Sequence, residues 1–506
     1  MSNTNRTANE KPFTRANKCA AGEYAVPALA ALIAGLAAYL FVFTNKLLNL
    51  DEIAGLFGKG ESISSGRWAL ALTSYIFPDL SMPWINGLLS LIMLTAASCL
   101  VVRIFEIKSP VIKAILAALM VAFPSQIVTF SYMFTCAPYA LAVLMSVVSM
   151  YLVLCTNGKW RYALAALLLA FSLGIYQAYL AVPASFCVVY LIKRTLDGEW
   201  SVRRIIRCGL NCVAYLLSAL IVYYVINKLT MSLTHTEYNS YADASFQTDL
   251  SSILFGVRVA FTAFLGYFYK GYYYLVATPF SKYMHYLCLL LIGAELIRYA
   301  VTGRDKARTA LLAGLLVLVP LSVNCLYIIS AQRHTLMLYS FVAVYILAAV
   351  TAESLMAKSH GALRDALCVA LGAIVLCNVF YANRLYLKMK LEYENAYSFY
   401  STLTSRVKET PGYDENTMVL ITGDAHELLH SSDEIDTSNL VGIMEGLINV
   451  YSRSDFLTYY AGFAPPTFDW AKWDASGAAA EVETMPIYPY DGSVKKIGDF
   501  IVVKLG

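Results

Sequence analysis

Charge is scarce in this chain. Of its 506 residues only 14% are charged, against 58% hydrophobic, and mean hydropathy is +0.58. A soluble globular domain carries about 25% charged residues, so that class is excluded. The sequence also lacks the motifs of soluble nucleotide chemistry. There is no P-loop, no GxGxxG after a strand, no GxSxG elbow and no HExxH among the six histidines. Nothing resembles a nucleic-acid module. Eleven cysteines are present, none of them after residue 383. A disulfide framework is therefore not expected, and no spacing matches a zinc site. Small buried hydrophobes are the better reading of these thiols.

What is abundant is long apolar runs. About 20 apolar residues in a helix cross about 30 Å of hydrocarbon. Eleven such spans are expected, at 24–44, 84–103, 110–128, 136–155, 161–177, 179–193, 208–227, 283–301, 309–330, 335–354 and 363–383. The first is too long and too deep in the chain for a cleaved signal peptide. Lys11, Arg15 and Lys18 precede span one. Further basic clusters follow the even-numbered spans: Arg103 and Lys108, Lys159 and Arg161, Lys193 to Arg207, Arg298 to Arg308, and Lys358 with Arg364. All fall on one side if the N-terminus is cytoplasmic. The expected layout is a cytoplasmic tail (1–23), a membrane domain (24–383) with large outer loops at 45–83 and 228–282, and an extracytoplasmic domain (384–506). Leu250 to Thr278 is apolar but holds Arg258 and Lys270. It reads as an outer-face segment, interfacial or re-entrant.

The domain after 383 has 10 Lys and Arg against 18 Asp and Glu, net −8, whereas residues 1–383 have 28 against 16, net +12. A helix from 383, a strand in "TMVLITGD", a helix in "NLVGIMEGLINVYSRSDFLTYYAGF" and a strand in "KKIGDFIVVKLG" predict a small α/β fold.

Several outer-face residues are candidates for chemistry. Asp51 and Glu52 lie just past span one, with Arg67 and Trp68 further along the same loop. Adjacent carboxylates on a helix diverge by about 100°, so they cannot grip one atom together. One serves as a base, or both are ordinary loop charges. A guanidinium suits phosphate because its planar fork donates two hydrogen bonds, though it also snorkels to headgroups. "GIYQAYLAVP" offers Tyr176, Gln177 and Tyr179 for a sugar, or for an aromatic belt. "SAQRHTLML" places Gln332, Arg333 and His334 in a short outer loop, where a cation runs against the inside bias. "FLGYFYKGYYYL" surrounds Lys270 with aromatic rings.

Together, Asp51-Glu52, "SSGRW", "IYQAYL", the outer "QRH" and the terminal "IGDFIVVKL" resemble the bacterial membrane glucosyltransferases of the GtrII type. The resemblance implies a GT-C-like, polytopic α-helical fold of about 11 transmembrane helices in the bacterial cell membrane. It implies inverting transfer of a hexose, glucose by analogy, from a polyprenyl-phosphate carrier to a cell-surface glycan such as O-antigen. No nucleotide sugar or organic cofactor is required, and a divalent metal is not legible. Asp51 or Glu52 would be the base, and Arg67, Lys270 and Arg333 would hold the phosphate. Trp68, Tyr176, Gln177, Tyr179, Gln332 and His334 would line the sugar. The family pattern has paired aspartates where this chain has Asp-Glu. The alternatives are a flippase for lipid-linked glycans and an O-antigen ligase or polymerase. Against the flippase, no charge lies deep in a span and no broken-helix repeat is visible.

Overall fold

In the computed structural model, residues 12–57, 62–77, 80–239, 250–269, 278–303, 305–328, 334–357, 361–424 and 446–506 are described. Eleven helices among them are long and apolar enough to cross a membrane. Ten coincide with spans read from the sequence. The other expected span, 161–177, is Trp160–Ile175, a helix of 16 residues. The eleventh long helix is Leu250–Tyr269.

Contacts between loops sort the helix ends onto two faces. On one face Glu106 meets Lys193 and Arg194 at 3.0 and 2.6 Å. There too the Ser109 amide donates to Glu353 at 3.2 Å, and Arg308 donates to the Trp200 carbonyl at 2.9 Å. On the other face Asn49 donates to the Ser131 carbonyl at 2.6 Å. Gln177 donates to the Ser65 carbonyl, and the Asn239 amide to that of Ser64. Following the chain between these faces, eleven helices alternate in direction when Trp160–Ile175 is included and Leu250–Tyr269 is not.

Leu250–Tyr269 is long enough to span by composition, and several of its contacts are with residues near one end of the bundle. Gly256 lies against Tyr327, Asn324 donates to the Ala260 carbonyl at 2.8 Å, and Tyr267 stacks on Phe341 at 4.0 Å. Residues 324–328 and 334–341 lie toward the face of the loop that carries Asp51, and the helix also packs on Lys306–Val323.

Helices Pro110–Thr129, Gln177–Asp197 and Thr335–Leu355 form the buried centre, whereas Val202–Leu233 and Lys306–Val323 are mostly exposed to lipid. In lipid, helix association is driven by close packing rather than by the hydrophobic effect. Hence a Cβ on Gly87 would lie 2.3 Å from the Phe43 ring, and one on Gly35 2.2 Å from Leu91.

The last helix, Gly361–Glu409, runs 49 residues without a break, so the membrane body continues directly into the tail. The tail holds a three-stranded sheet. β1 (Met418–Thr422) pairs parallel with β3 (Phe500–Lys504), and β2 (Val494–Ile497) pairs antiparallel with β3. The terminal strand expected from sequence is thus a hairpin turned at Gly498, where φ is +57°. In the expected helix 439–463, residues 439–445 lie outside the described residues. Among the described residues of this segment the helix is Arg453–Tyr459. Arg453 donates to the Ile421 and Gly423 carbonyls at 2.8 and 2.7 Å, tying this helix to β1.

A Cβ at Gly256 would lie 2.3 Å from the Tyr327 carbonyl oxygen, and backbone cannot yield as a side chain can. Gly256→Leu is expected to cost about 1–3 kcal/mol through overpacking, lowering the melting temperature in detergent. Gly266→Ala, with nothing within 4 Å, is expected to be neutral or stabilising. Equal losses in both variants would show that the contact with Tyr327 does not anchor this helix.

Candidate active site

The chain leaves the first helix at Thr44 and re-enters a five-residue helix, Leu50–Ala54. Asn49 caps it, accepting from the Glu52 amide at 2.8 Å while donating to Ser131. An Asn at the N-cap with Glu three residues on is the sequence signature of a capping box. Here the Glu52 carboxylate does not return to the cap. It is fully buried and is gripped by Lys46 and by the Ser81 hydroxyl. The Phe134 amide, at the start of helix Met133–Cys155, donates to its second oxygen at 3.3 Å. That helix end carries partial positive charge, which favours a carboxylate there. Burial pushes the Glu52 carboxyl above the usual range, and Lys46, Ser81 and the Phe134 amide pull it back. Asp51, on a different side of the short helix, is only partly buried. The two carboxylates therefore occupy different environments.

The tail seats on this loop. Leu48 and Ile53 are buried in the same apolar cluster as Tyr400, Leu403, Phe456 and Ile501. The Phe57 ring meets Tyr459 edge-on at 5.1 Å. Tyr460 approaches Glu52: burial and then that carboxylate raise its hydroxyl well above the ordinary range. The hydroxyl is buried and has no hydrogen-bond partner among the described residues.

Arg67 is presented by a separate cluster. Its guanidinium lies over the Tyr176 ring at 5.2 Å, a cation–π contact. Tyr176 stacks on Tyr139 at 4.7 Å and 8°, with Tyr179 edge-on to both. Gly66 precedes Arg67 with φ +72°, and a Cβ there would sit 2.9 Å from the Tyr223 hydroxyl. That hydroxyl donates to the Gly66 carbonyl at 2.9 Å and accepts from Gln177 at 3.1 Å. His334 is close enough to Arg67 to feel its charge. Burial, and then Arg67, lower its pKa.

The structure thus brings together Arg67, Tyr176, Tyr179, Gln177 and His334. Trp68 is a wedge: it is buried edge-on to Phe171 at 5.7 Å, and a Cβ on Gly174 would meet it at 2.5 Å. Tyr176 and Tyr179 are buried too. Lys270, Gln332 and Arg333 lie outside the described residues. Sequence reasoning missed Lys46, Ser81 and Tyr460. Only the Asn49–Glu52 spacing signalled a built loop. Among the described residues no group of three or more His, Cys, Asp or Glu has metal-binding geometry.

A many-span helical body with carboxylates and an arginine fixed at one face defines the class as a polytopic membrane protein with a charged site at that face. The sequence model of the family described as Glucosyl transferase GtrII matches residues 40–352, and the chain belongs to that family. It is a multi-pass membrane glucosyltransferase, acting on a sugar donor and a glycan acceptor. The match takes in both clusters and stops before the last helix and the tail. No protein of curated function matches the sequence.

Breaking a buried ion pair by removing one partner typically costs about 3–5 kcal/mol. Glu52, its folded pKa raised, contributes stability that is present at low pH and lost as pH rises through that pKa. Removing Lys46 raises the carboxyl further. Lys46→Met is therefore expected to lower the melting temperature, more at pH 8 than at pH 5, and Lys46→Met/Glu52→Gln to recover most of the loss. A penalty independent of pH would show that Lys46 does not neutralise Glu52.

Proposed function

We propose that the protein moves glucose from a polyprenyl-phosphate carrier to a cell-surface glycan, with inversion, on the extracytoplasmic face of a bacterial cell membrane. The observation that carries the mechanism is the contrast between the two loop carboxylates. Glu52 is committed to Lys46, Ser81 and the Phe134 amide. Asp51 is the one that remains partly exposed. Asp51 is accordingly the base, and Glu52 a positioning residue that fixes the loop.

In the proposed reaction the bond between sugar carbon one and the phosphate oxygen breaks, and its electron pair leaves with the lipid phosphate. The acceptor hydroxyl oxygen bonds to carbon one from the opposite side and loses its proton to Asp51. Charge at carbon one is oxocarbenium-like in the transition state, and negative charge grows on the leaving phosphate. Arg67, held over Tyr176, is the cation for that phosphate, since preorganised donors stabilise charge where it develops. Lys270 and Arg333 are proposed to assist it. Gln177, Gln332 and His334 are proposed for the sugar, with Trp68, Tyr176 and Tyr179 as the aromatic wall that shapes its pocket. Sidedness rests on the basic face: Arg161, Lys193, Arg194 and Arg308 lie opposite the Asp51 loop, which supports a cytoplasmic assignment for that face and an extracytoplasmic one for the tail.

The test is transfer by purified protein from polyprenyl-phosphate-glucose to acceptor glycan. Asp51→Asn is expected to reduce transfer by roughly 10²–10⁴-fold with donor binding retained, the loss of a general base. Arg67→Ala is expected to weaken the donor's apparent affinity at least about tenfold, from charge-assisted hydrogen bonds of roughly 1.5–3 kcal/mol, and the acceptor's much less. Full-rate transfer by Asp51→Asn would remove it as the base, and movement of intact lipid without transfer would favour a flippase.

A further inference from the structure

On the face opposite the Asp51 loop a cavity of about 580 Å³ opens between the start of helix Trp160–Ile175 and the start of helix Val202–Leu233. Four arginines line it, Arg161, Arg203, Arg204 and Arg207, and no carboxylate does. None of the four is in an ion pair among the described residues. The neighbouring cavity on this face is different: Glu106, Asp197, Glu199 and Glu353 line it beside Lys108 and Lys193. There Glu106 is bonded to Lys193 and Arg194, so that cluster is neutralised internally.

Two of the four arginines are held in place by aromatic rings. The Arg204 guanidinium lies 4.2 Å from the Trp200 ring, and that of Arg161 lies 4.7 Å from the Tyr162 ring. Arg161 also donates to the Tyr162 hydroxyl at 2.9 Å and to the Thr156 carbonyl. These contacts fix the cations without neutralising them. The N-terminus of the 32-residue helix opens into the same space through Ser201 and Arg203, adding the positive end of a helix dipole. Four like charges close together repel, and an anion among them relieves that repulsion.

The surroundings say which anion. Beyond the arginines, helix Val202–Leu233 leaves Leu210, Val213, Ala214 and Leu217 exposed, and helix Trp160–Ile175 leaves Leu164 and Leu167 exposed. These faces cover no protein and lie in the hydrocarbon layer. A polar anion pocket continuous with bilayer-facing apolar surface fits an amphiphile with a phosphate at its head. We propose that this cavity binds the phosphodiester headgroup of an anionic membrane phospholipid, in the leaflet opposite the transfer site. Its acyl chains lie along the exposed sides of the two helices. Basic pockets between transmembrane helices are suited to such headgroups. The lipid cross-links the two helix ends and fixes their depth in the membrane. This inference does not rest on the assignment of Asp51 or Arg67.

The test is native mass spectrometry of the delipidated full-length protein titrated with phosphatidylglycerol, with phosphatidylcholine and inorganic phosphate as parallel probes. One phosphatidylglycerol is expected to be retained in preference to phosphatidylcholine. Arg203→Gln/Arg207→Gln is expected to weaken its binding at least about tenfold, taking the loss of each surface cation near an anionic lipid as about 1 kcal/mol. Arg207→Gln alone should give a smaller loss in the same direction. Arg364→Gln, at the start of the last helix on the same face, is expected to leave binding unchanged. Equal loss in Arg364→Gln would reduce the effect to diffuse positive charge and overturn the proposal. So would displacement of the lipid by millimolar inorganic phosphate, which would mark a free-anion site, or undiminished binding in the double variant.

Discussion

The burial of Glu52 against Lys46 is the constraint around which the functional face is built. A carboxylate removed from water costs several kcal/mol unless opposite charge and hydrogen bonds replace its hydration. Here the replacements come from separate parts of the chain: Lys46 from just after the first helix, Ser81 from the far side of the loop, and Phe134 from the start of the fourth long helix. Each must stay in place for the charge to be tolerated. The Glu52 segment is therefore held from several sides, and its two carboxylates have unequal surroundings.

The same few turns of helix Met133–Cys155 support both clusters. Its first amides receive Glu52, and Tyr139, less than two turns further on, carries the ring on which Tyr176 stacks under Arg67. Acid and cation are thus referenced to one rigid element rather than to two mobile loops. That is the condition for holding reacting groups in a productive geometry. The tail adds a lid of apolar contacts at Leu48, Ile53 and Phe57, which excludes water from the Glu52 side of the loop.

The two membrane faces handle charge differently. On the Asp51 face the cations Lys46 and Arg67 are held by Glu52 and by the Tyr176 ring. On the opposite face cations are many. Some are neutralised, as at Glu106, and others are gathered unpaired around a cavity, as at Arg203 and Arg207. The acidic tail, net −8, and the basic body, net +12, follow the same division.

By itself the sequence determined the membrane class, ten of the eleven long spans and a small sheet after the last span. These are properties of local hydropathy and alternation, which are sums over neighbouring residues. It also marked Asp51, Glu52 and Arg67 as charges that a membrane chain would not place idly. It could not rank the two carboxylates, because their difference lies in partners 6, 29 and 82 residues away from Glu52. Composition alone would make Leu250–Tyr269 a span, and only the tertiary structure shows its packing on Asn324, Tyr327 and Phe341. Exposed and buried tryptophans read alike in sequence, and only packing shows Trp68 buried against Phe171 with Gly174 closely beside it. Tyr460 carries no motif at all. It reached Glu52 because the last helix runs on without a break and the tail's apolar core closes over the loop, a contact between residues some 400 apart that only tertiary packing could decide.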